Sequence, residues 1–168
     1  MKSINITRDI ESFTSVTSEL KNKGYKYEYK TIKKEIVEAD SYLCAILNVP
    51  IASKLFLYKK VRIIENIPMS IETIYIEYNK VKGIENLHLE NTSFYEILKK
   101  HFNLSITGFN ETINIVEATD IEKELLKYKD NYLVLGEGLS YIKSSPFEYF
   151  KIIAKPNFFT YRSVTKND

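Results

Sequence analysis

Hydrophobic and polar residues alternate strictly in several parts of the chain, and this alternation predicts β-strands. Between residues 25 and 36, tyrosines at positions 25, 27 and 29 alternate with charged residues, a period of two that is typical of a half-buried strand. Two apolar runs at 54–64 and 69–78 flank a segment containing Asn and Pro, which predicts an antiparallel hairpin with its turn at 65–68. The same reasoning predicts a strand at 106–116, a second hairpin from strands 132–142 and 147–154, and an extended piece at 157–162.

Apolar residues at helical spacing, bounded by capping residues, predict four helices. In residues 92–102 the apolar positions lie three or four apart, and Asn91 or Thr92 supplies the N-cap. A helix at 12–23 is closed by Gly24, a residue that favours the conformation found just after helix ends. The remaining helices are predicted at 39–47 and 120–127, while residues 1–9 are polar and are expected to be irregular.

The order of these elements predicts the fold class. Helix, strand, helix and hairpin are followed by the same four elements again, and such connections favour an α+β domain with one antiparallel β-sheet covered by helices. The strand, helix and hairpin at 25–78 have the same order as those at 106–154. We therefore expect an internal structural duplication, although the two segments share few residues at corresponding positions.

Composition indicates one globular domain without a broad basic surface. The chain has 168 residues, 44% hydrophobic and 27% charged, which is typical of a single domain with a substantial core. Its 24 Lys and Arg residues against 22 Asp and Glu leave a net charge of +2. The basic residues are scattered, so this chain is not expected to bind nucleic acid by itself. Its one cysteine, Cys44, lies in an apolar run without a disulfide partner, which favours a buried side chain and a cytoplasmic location.

Several kinds of site are not predicted. His88 and His101 are far apart and have no Cys or carboxylate cluster at metal-ligand spacing, so we expect no metal and no cofactor. The five glycines form neither a phosphate-binding loop nor a nucleophile elbow, which argues against a nucleotide-dependent enzyme or an ordinary hydrolase. No segment approaches the length of about 20 apolar residues that crosses a bilayer, so no membrane partner is expected.

Charged and hydroxyl residues on the central hairpin and the helix after it form a candidate anion site. Lys60 and Arg62 are two residues apart on one strand and so share a face, and Glu72 lies on the returning strand. Ser93 and Tyr95 fall near the helix start, where backbone N–H groups and the helix dipole favour an anion. Two other interpretations stay open: the cations face solvent, or Glu72 is simply the ion-pair partner of Arg62.

Five short blocks follow one another along nearly the whole chain. They are Ser12-Phe13-Thr14 with Gly24, Glu38-Ala39-Asp40 through Leu47-Asn48-Val49-Pro50, Lys60-Val61-Arg62 through Pro68 and Glu72 to Tyr75, Ser93-Phe94-Tyr95, and Pro146-Phe147-Glu148-Tyr149. Together the blocks resemble the UTRA domain, the effector-binding domain of HutC-subfamily GntR transcription regulators. The resemblance implies a chorismate lyase-like α+β fold and a dimerisation role for residues 12–164, with a linker remnant at 1–11 and a tail at 165–168.

The resemblance also implies a ligand pocket. In family members that bind phosphorylated sugars, two cations, a Ser-x-Tyr pair and main-chain groups of a Ser-Phe-Thr stretch hold the phosphate, and a glutamate meets sugar or amine groups. By position, the ligand-binding residues implied here are Lys60, Arg62, Ser93, Tyr95, Phe13, Thr14 and Glu72, with Glu148 assigned equally to pocket or surface. Two departures, Lys60 in place of Arg and Ala154 in place of a pocket Tyr, suggest a ligand different from that of the best-known members.

For the whole protein, the resemblance implies a bacterial transcription regulator that senses a small phosphorylated metabolite, with a sugar phosphate expected. Family members act as homodimers and bind DNA through an N-terminal winged helix-turn-helix. Residues 1–11 are too few to form one, so the chain is expected to begin at the interdomain linker. The alternatives are a dimerisation module without ligand, a carboxylate-effector sensor, and a chorismate lyase-like enzyme. We expect no catalysis, because a shared fold alone does not transfer activity.

Overall fold

The computed structural model of the chain describes residues 4–9, 15–90 and 92–164. Within these residues the chain forms eight strands, four α-helices and two short 3₁₀ helices, at Tyr78–Lys80 and Ile84–Asn86. In chain order the elements are β1 (Ile6–Asp9), α1 (Val16–Asn22), β2 (Tyr27–Glu38), α2 (Ser41–Leu47), β3 (Lys54–Ile64), β4 (Ile67–Glu77), α3 (Phe94–Phe102), β5 (Gly108–Glu117), α4 (Asp120–Leu126), β6 (Tyr132–Ile142), β7 (Ser145–Ala154) and β8 (Phe159–Arg162). Apart from β1, the predicted order of elements is confirmed.

Six of the strands form one antiparallel sheet in the order β2-β3-β4-β7-β6-β5, which confirms the predicted α+β class. The order is symmetrical, because β2, β3 and β4 with α2 make one half, and β5, β6 and β7 with α4 make the other. The halves meet where β4 pairs with β7, for example at Ile74 opposite Phe150. The two segments predicted as a duplication thus have the same topology, even though their residues differ.

The turn between β3 and β4 is tighter than the sequence suggested. Only Glu65 and Asn66 lie between the strands, and both have positive φ angles, 48° and 63°. Two consecutive left-handed residues give a hairpin the twist that its strands prefer. The prediction that Ile67 and Pro68 belong to the turn is therefore wrong. Proline is accommodated in β4 because the pairing register shifts at this point, next to Arg62.

The N-terminal segment contains a strand, so the prediction that it is irregular is wrong. β1 pairs in parallel with β8, with Ile6 opposite Phe159, and the two strands form a ribbon separate from the main sheet. Ile4 and Ile6 anchor this β1–β8 ribbon in an apolar cluster that includes Leu20 of α1 and Phe158. Two apolar residues within a polar run are too short a pattern to indicate a strand, and the partner strand is remote in sequence.

Helices cover both faces of the sheet. On one face, α3 packs Phe94 and Leu98 against Phe56 and Tyr58 of β3, and α1 with the β1–β8 ribbon covers the neighbouring part. We call this the cavity face, since it encloses the site described below. The opposite face, the back face, is covered by α2 and α4 in two smaller apolar clusters. Cys44 is buried in the α2 cluster, as predicted.

Candidate functional site

A cavity lies on the cavity face, between the sheet and the N-terminal ends of α1 and α3. Its volume is about 90 Å³, and its lining comes from the central strands, both helices, β1 and β5. Six of the eight residues implied as ligand-binding line this cavity: Lys60, Arg62, Glu72, Ser93, Tyr95 and Glu148. The other two, Phe13 and Thr14, lie outside the described residues.

The geometry of the sheet brings the charged residues together. Lys60 and Arg62 project from the same face of β3, and Glu72 on β4 is directly opposite Lys60. Tyr29 on β2 is directly opposite Arg62, on the other side of β3. All four side chains are buried, so two cations and a carboxylate share a site that is largely removed from water. The interpretation of Lys60 and Arg62 as solvent-facing charges is wrong.

Arg62 is held by a network of hydrogen bonds. Its Nε and Nη2 donate to Oε1 and Oε2 of Glu72 at 2.5 and 3.1 Å, which is a bidentate pairing. Its Nη1 donates to the hydroxyls of Tyr29 at 2.7 Å and Thr17 at 3.4 Å. Ser70 Oγ also donates to Glu72 Oε1 at 3.3 Å. The interpretation of Glu72 as the ion-pair partner of Arg62 is therefore confirmed.

The charges of this network govern the protonation of Glu72. Burial alone would raise the pKa of Glu72, but the positive charges of Arg62 and Lys60, with the hydrogen bonds, outweigh it and lower the pKa to about 2. Glu72 is thus a carboxylate at neutral pH. Its two oxygens occupy the Nε and Nη2 edge of the Arg62 guanidinium.

Lys60 is the less completely compensated cation. Its Nζ lies 3.5 Å from Glu72 Oε2, an oxygen that already accepts a hydrogen bond from Arg62, and 4.0 Å from the centre of the Tyr29 ring. Only 7% of the Lys60 side chain is exposed. Burial lowers the pKa of Lys60, and the charge of Glu72 offsets this effect only in part. An anion entering the cavity would stabilise the charged ammonium.

Glu148 forms a second polar centre in the cavity. Its Oε2 accepts hydrogen bonds from the hydroxyls of Tyr95 at 3.1 Å and Ser140 at 2.8 Å. Burial raises the pKa of Glu148 to about 7, although both hydrogen bonds oppose the change. Near neutral pH this carboxyl group therefore exchanges between a neutral hydrogen-bond donor and an anion. The structure places Glu148 in the pocket rather than on the surface.

The N-terminal end of α3 faces the cavity through Ser93. This residue is the N-cap, so the prediction of Thr92 is wrong, and Asn91 lies outside the described residues. The Ser93 hydroxyl makes no capping hydrogen bond and lines the cavity. The first N–H groups of a helix have no partners within it, and the helix dipole favours negative charge there. An anion near Ser93 would therefore meet a hydroxyl and first-turn N–H groups together.

Four polar residues that line the cavity were not anticipated from the sequence: Arg8, Ser15, Thr17 and Lys151. Tyr29, a hydrogen-bond partner of Arg62, was not anticipated either. Tyr29 belongs to the alternating strand, and its position on the buried side of that alternation was the available signal. Arg8 lies in a segment expected to be irregular, and Thr17 gave no signal beyond its place in a predicted helix. Ala154, where the resemblance implied a change in the pocket, instead packs with Met69 in the cluster beneath the β1–β8 ribbon.

The polar groups that line the cavity are ammonium groups, guanidiniums, carboxyl groups and hydroxyls. The described residues contain no group of three or more His, Cys, Asp or Glu side chains placed to hold a metal ion. In the same part of the chain, no helix combines the length and apolar character needed to cross a membrane.

The fold is that of a known family of effector-binding domains. The sequence profile of the UTRA domain matches residues 22–160, and the chain belongs to that family. It is an effector-binding domain of the type found in GntR-family transcription regulators, as the sequence resemblance implied.

Similar curated proteins are repressors. The probable fructoselysine utilization operon transcriptional repressor of Escherichia coli strain K12 is 26% identical over 127 residues, which are 76% of this chain and 50% of that protein. The HTH-type transcriptional repressor NagR of Bacillus subtilis strain 168 is 22% identical over 154 residues, 90% of this chain and 63% of that protein. The chain thus spans about half the length of the first relative and less than two thirds of the second.

Solved structures have the same fold. The effector domain of PhnF from Mycobacterium smegmatis superimposes with a TM-score of 0.87 at 17% identity, covering 96% of this chain and 100% of that one. A GntR-family regulator from Bacillus cereus gives a TM-score of 0.72 at 22% identity, covering 83% of this chain and 99% of that one. At these identities the likeness shows the fold alone.

Proposed function

We propose that this domain senses a small phosphorylated metabolite, with a sugar phosphate as the expected class, for a bacterial GntR/HutC-type transcription regulator. The observation that carries the proposal is the burial of Lys60 and Arg62 beside the N-terminal end of α3 in one cavity. Removing two cations from water is unfavourable unless their charges are balanced. Glu72 balances one of them at neutral pH, and a bound anion would balance the other.

Lys60 is the group that we expect to contact the phosphate most directly. Arg62 has one edge committed to Glu72, whereas Lys60 has one shared carboxylate oxygen at 3.5 Å. Phosphate oxygens would also accept hydrogen bonds from Ser93 and from first-turn N–H groups of α3. A phosphate would supply the negative charge that Lys60 lacks, since Glu72 already balances the charge of Arg62.

Glu148 and Tyr95 give the cavity a second kind of chemistry, suited to the sugar part of the ligand. Their carboxyl and phenol groups hydrogen-bond to each other at 3.1 Å and both line the cavity. Such groups bind hydroxyls and amines, because a carboxyl accepts from both and a phenol can donate or accept. The similarity to a probable repressor of a fructoselysine utilization operon supports a carbohydrate-derived effector.

In the full-length protein the ligand would act by shifting the population of conformations. A ligand that binds one arrangement of a homodimer more tightly favours that arrangement, which changes how attached N-terminal winged helix-turn-helix domains contact DNA. The similar curated proteins are repressors, which supports a regulator rather than an enzyme. We assign DNA binding to a part of the protein outside this domain, since this chain spans only part of those relatives.

Lys60→Met tests the role of the less compensated cation, because methionine keeps an unbranched side chain and removes the charge. Without ligand, the variant should be at least as stable as the unmodified chain, since an incompletely paired buried cation is replaced by an apolar group. With glucose 6-phosphate or glucosamine 6-phosphate, calorimetry should show an affinity loss of about 30-fold or more, equivalent to about 2 kcal/mol. Lys59→Met is the matched control, because Lys59 neighbours Lys60 but lies on the back face.

A thermal-shift screen separates this proposal from its alternatives. A ligand that binds the folded state raises its melting temperature by mass action, so stabilisation by sugar phosphates and not by organic acids supports the proposal. Stabilisation by organic acids alone identifies a carboxylate sensor. Stabilisation by neither set favours a dimerisation module, and turnover of chorismate would reveal an enzyme. Equal sugar phosphate affinity of the unmodified and Lys60→Met chains would contradict the role given to Lys60.

A further inference from the structure

Arg8 is a cation at the cavity that comes from outside the central sheet. It lies on β1, before the segment matched by the UTRA profile at 22–160, and it lines the cavity. Its Nη1 donates to Glu111 Oε1 on β5 at 2.9 Å, so the β1–β8 ribbon is tied to the edge strand of the sheet. The Arg8 and Glu111 side chains are only 14% and 7% exposed, which shields this ion pair from solvent.

The surroundings of the pair are built to hold it. The Glu111 carboxylate lies over Gly136 of β6, where an added Cβ would stand 2.5 Å from Oε1. Burial raises the pKa of Glu111, and the charge of Arg8 opposes that change. On the other side, the Arg8 guanidinium lies 5.5 and 5.8 Å from the ring centres of Phe159 and Tyr161 on β8, within the range of cation–π attraction.

Arg8 and Arg62 are tied to their glutamates in different ways. Arg62 shares two hydrogen bonds with both oxygens of Glu72, whereas the contact of Arg8 with Glu111 is made by Nη1 to a single oxygen. A single contact is weaker than a bidentate one. Arginine also binds phosphate well, because its fork of N–H groups matches two phosphate oxygens. Of the two arginines at the cavity, Arg8 is therefore the one suited to exchange a glutamate for a ligand.

We propose that Arg8 is a ligand-responsive latch. An anionic ligand in the cavity competes with Glu111 for the Arg8 guanidinium. When the ligand is bound, Arg8 contacts the ligand in place of Glu111, so the β1–β8 ribbon is held by the ligand and no longer by β5. The inference rests on the proposed anion site and adds a route by which occupancy reaches the N-terminal strand. A ribbon held by the ligand is anchored to the central strands that line the cavity, so its backbone hydrogen bonds should open less often.

A double-mutant cycle with inorganic phosphate and glucose 6-phosphate tests the competition. Arg8→Gln should weaken binding about tenfold, as expected for one lost charge-assisted hydrogen bond. Glu111→Gln removes the competitor and should strengthen binding by about 3-fold to 10-fold, and in the Arg8→Gln background it should have little effect. Equal strengthening in both backgrounds would show that Glu111 acts through its charge alone and would overturn the latch. Arg8→Lys replaces Arg8→Gln if the latter does not fold, with a smaller loss of the same sign.

Hydrogen exchange supplies the second measurement. At saturating glucose 6-phosphate, exchange of the β1 and β8 amides should slow in the unmodified chain and stay unchanged in Arg8→Gln. If the unmodified chain binds ligand but these amides do not respond, the latch is wrong while the proposed function stands. If the unmodified chain binds neither phosphate compound, the proposed function fails and the latch fails with it.

Discussion

The two halves of the sheet have the same topology but contribute different things to the cavity. Strands β3 and β6 occupy equivalent places in the symmetrical order, yet β3 presents large or charged side chains to the cavity face and β6 presents almost none. The residues concerned are Tyr58, Lys60 and Arg62 on β3, and Gly136, Gly138 and Ser140 on β6. A cavity forms here because one half supplies side chains and the other leaves space.

The bare surface of β6 also lets its neighbour β5 approach closely. The Glu111 carboxylate lies over Gly136, and a Cβ at Gly138 would overlap the backbone carbonyl of Asn110. Two halves with one topology can therefore specialise through the residues of a single strand. Binding chemistry in this domain therefore depends on which strand carries large side chains on the cavity face and which does not, and not on the strand order.

The largest effect on stability is expected from Glu72→Gln, in the half of the sheet that contains β3. Glutamine keeps the shape of the side chain but leaves Arg62 buried without a counter-charge, and breaking a buried pair in this way costs about 3–5 kcal/mol. Tyr29→Phe is the matched control, because it removes a neutral partner of the same guanidinium and should cost about 1 kcal/mol. Urea denaturation measures both changes. Equal losses would show that charge balance is not what stabilises this half.

Glu148 should make the stability of the domain depend on pH. Its pKa is raised from 4.5 to about 7, so the stability that it contributes is present below pH 4.5 and is lost as pH rises through 7. Glu148→Gln, neutral at all pH values, should match the unmodified chain near about pH 4 and exceed it by up to about 3 kcal/mol near about pH 9. Thermal melts at both pH values check this. A difference that does not change with pH would contradict the burial argument.

Glu72 should have the opposite pH dependence, and the same melts extended to acid test it. Its pKa is lowered from 4.5 to about 2, so its contribution is present above pH 4.5 and is lost as pH falls toward 2. Glu72→Gln should remove this part of the acid sensitivity. The maximum of stability of the unmodified chain is therefore expected on the acid side of neutrality.

In the half of the sheet that contains β6, Gly138→Ala should have a moderate effect on stability. The added Cβ would overlap the backbone of Asn110, and overpacking of this kind typically costs about 1–3 kcal/mol. Gly108→Ala on β5 is the control, since nothing lies within 4 Å of its Cβ position, and it should change stability by less than about 0.5 kcal/mol. Chemical denaturation of both variants tests whether β6 must lack a side chain at Gly138.

The smallest effect on stability is expected from Gly136→Ala. The atom that its Cβ meets is the end of the flexible Glu111 side chain, which can move, so the loss should stay below about 1 kcal/mol. Because Glu111 would be displaced from Arg8, phosphate affinity should rise as in Glu111→Gln. A stability loss as large as that of Gly138→Ala would show that the Glu111 side chain cannot move.

Much of the fold follows from local sequence signals, and the exceptions depend on distant contacts. The alternation of β2 and the apolar hairpin strands are visible in the sequence because each strand carries its own period. The turn at Glu65 and Asn66 was placed too broadly, because Pro68 suggested a longer turn and the register shift that admits it is a property of the pair of strands. β1 was missed because its partner β8 is remote in sequence.

Part of the lining of the cavity was predictable from the sequence, but the contacts between its residues were not. Spacing on β3 placed Lys60 and Arg62 on one face, which the structure bears out. That Glu72 is bidentate to Arg62 and only near Lys60 depends on side-chain packing with Tyr29 and Ser70, which no pattern reports. Arg8 reaches the cavity only because the β1–β8 ribbon crosses to β5.

The β1–β8 ribbon has a consequence for the order in which the domain folds. It joins the most distant parts of the described chain: the side chain of Asn5 donates to the carbonyl of Asn157, 152 positions away. Closing so long a loop is slow compared with pairing β3 and β4 through a two-residue turn. On a ribosome, β1 emerges before β8 and must wait for it. The β3–β4 hairpin, which carries Lys60, Arg62 and Glu72, is therefore expected to form early. The strand that carries Arg8 should be the last element to dock.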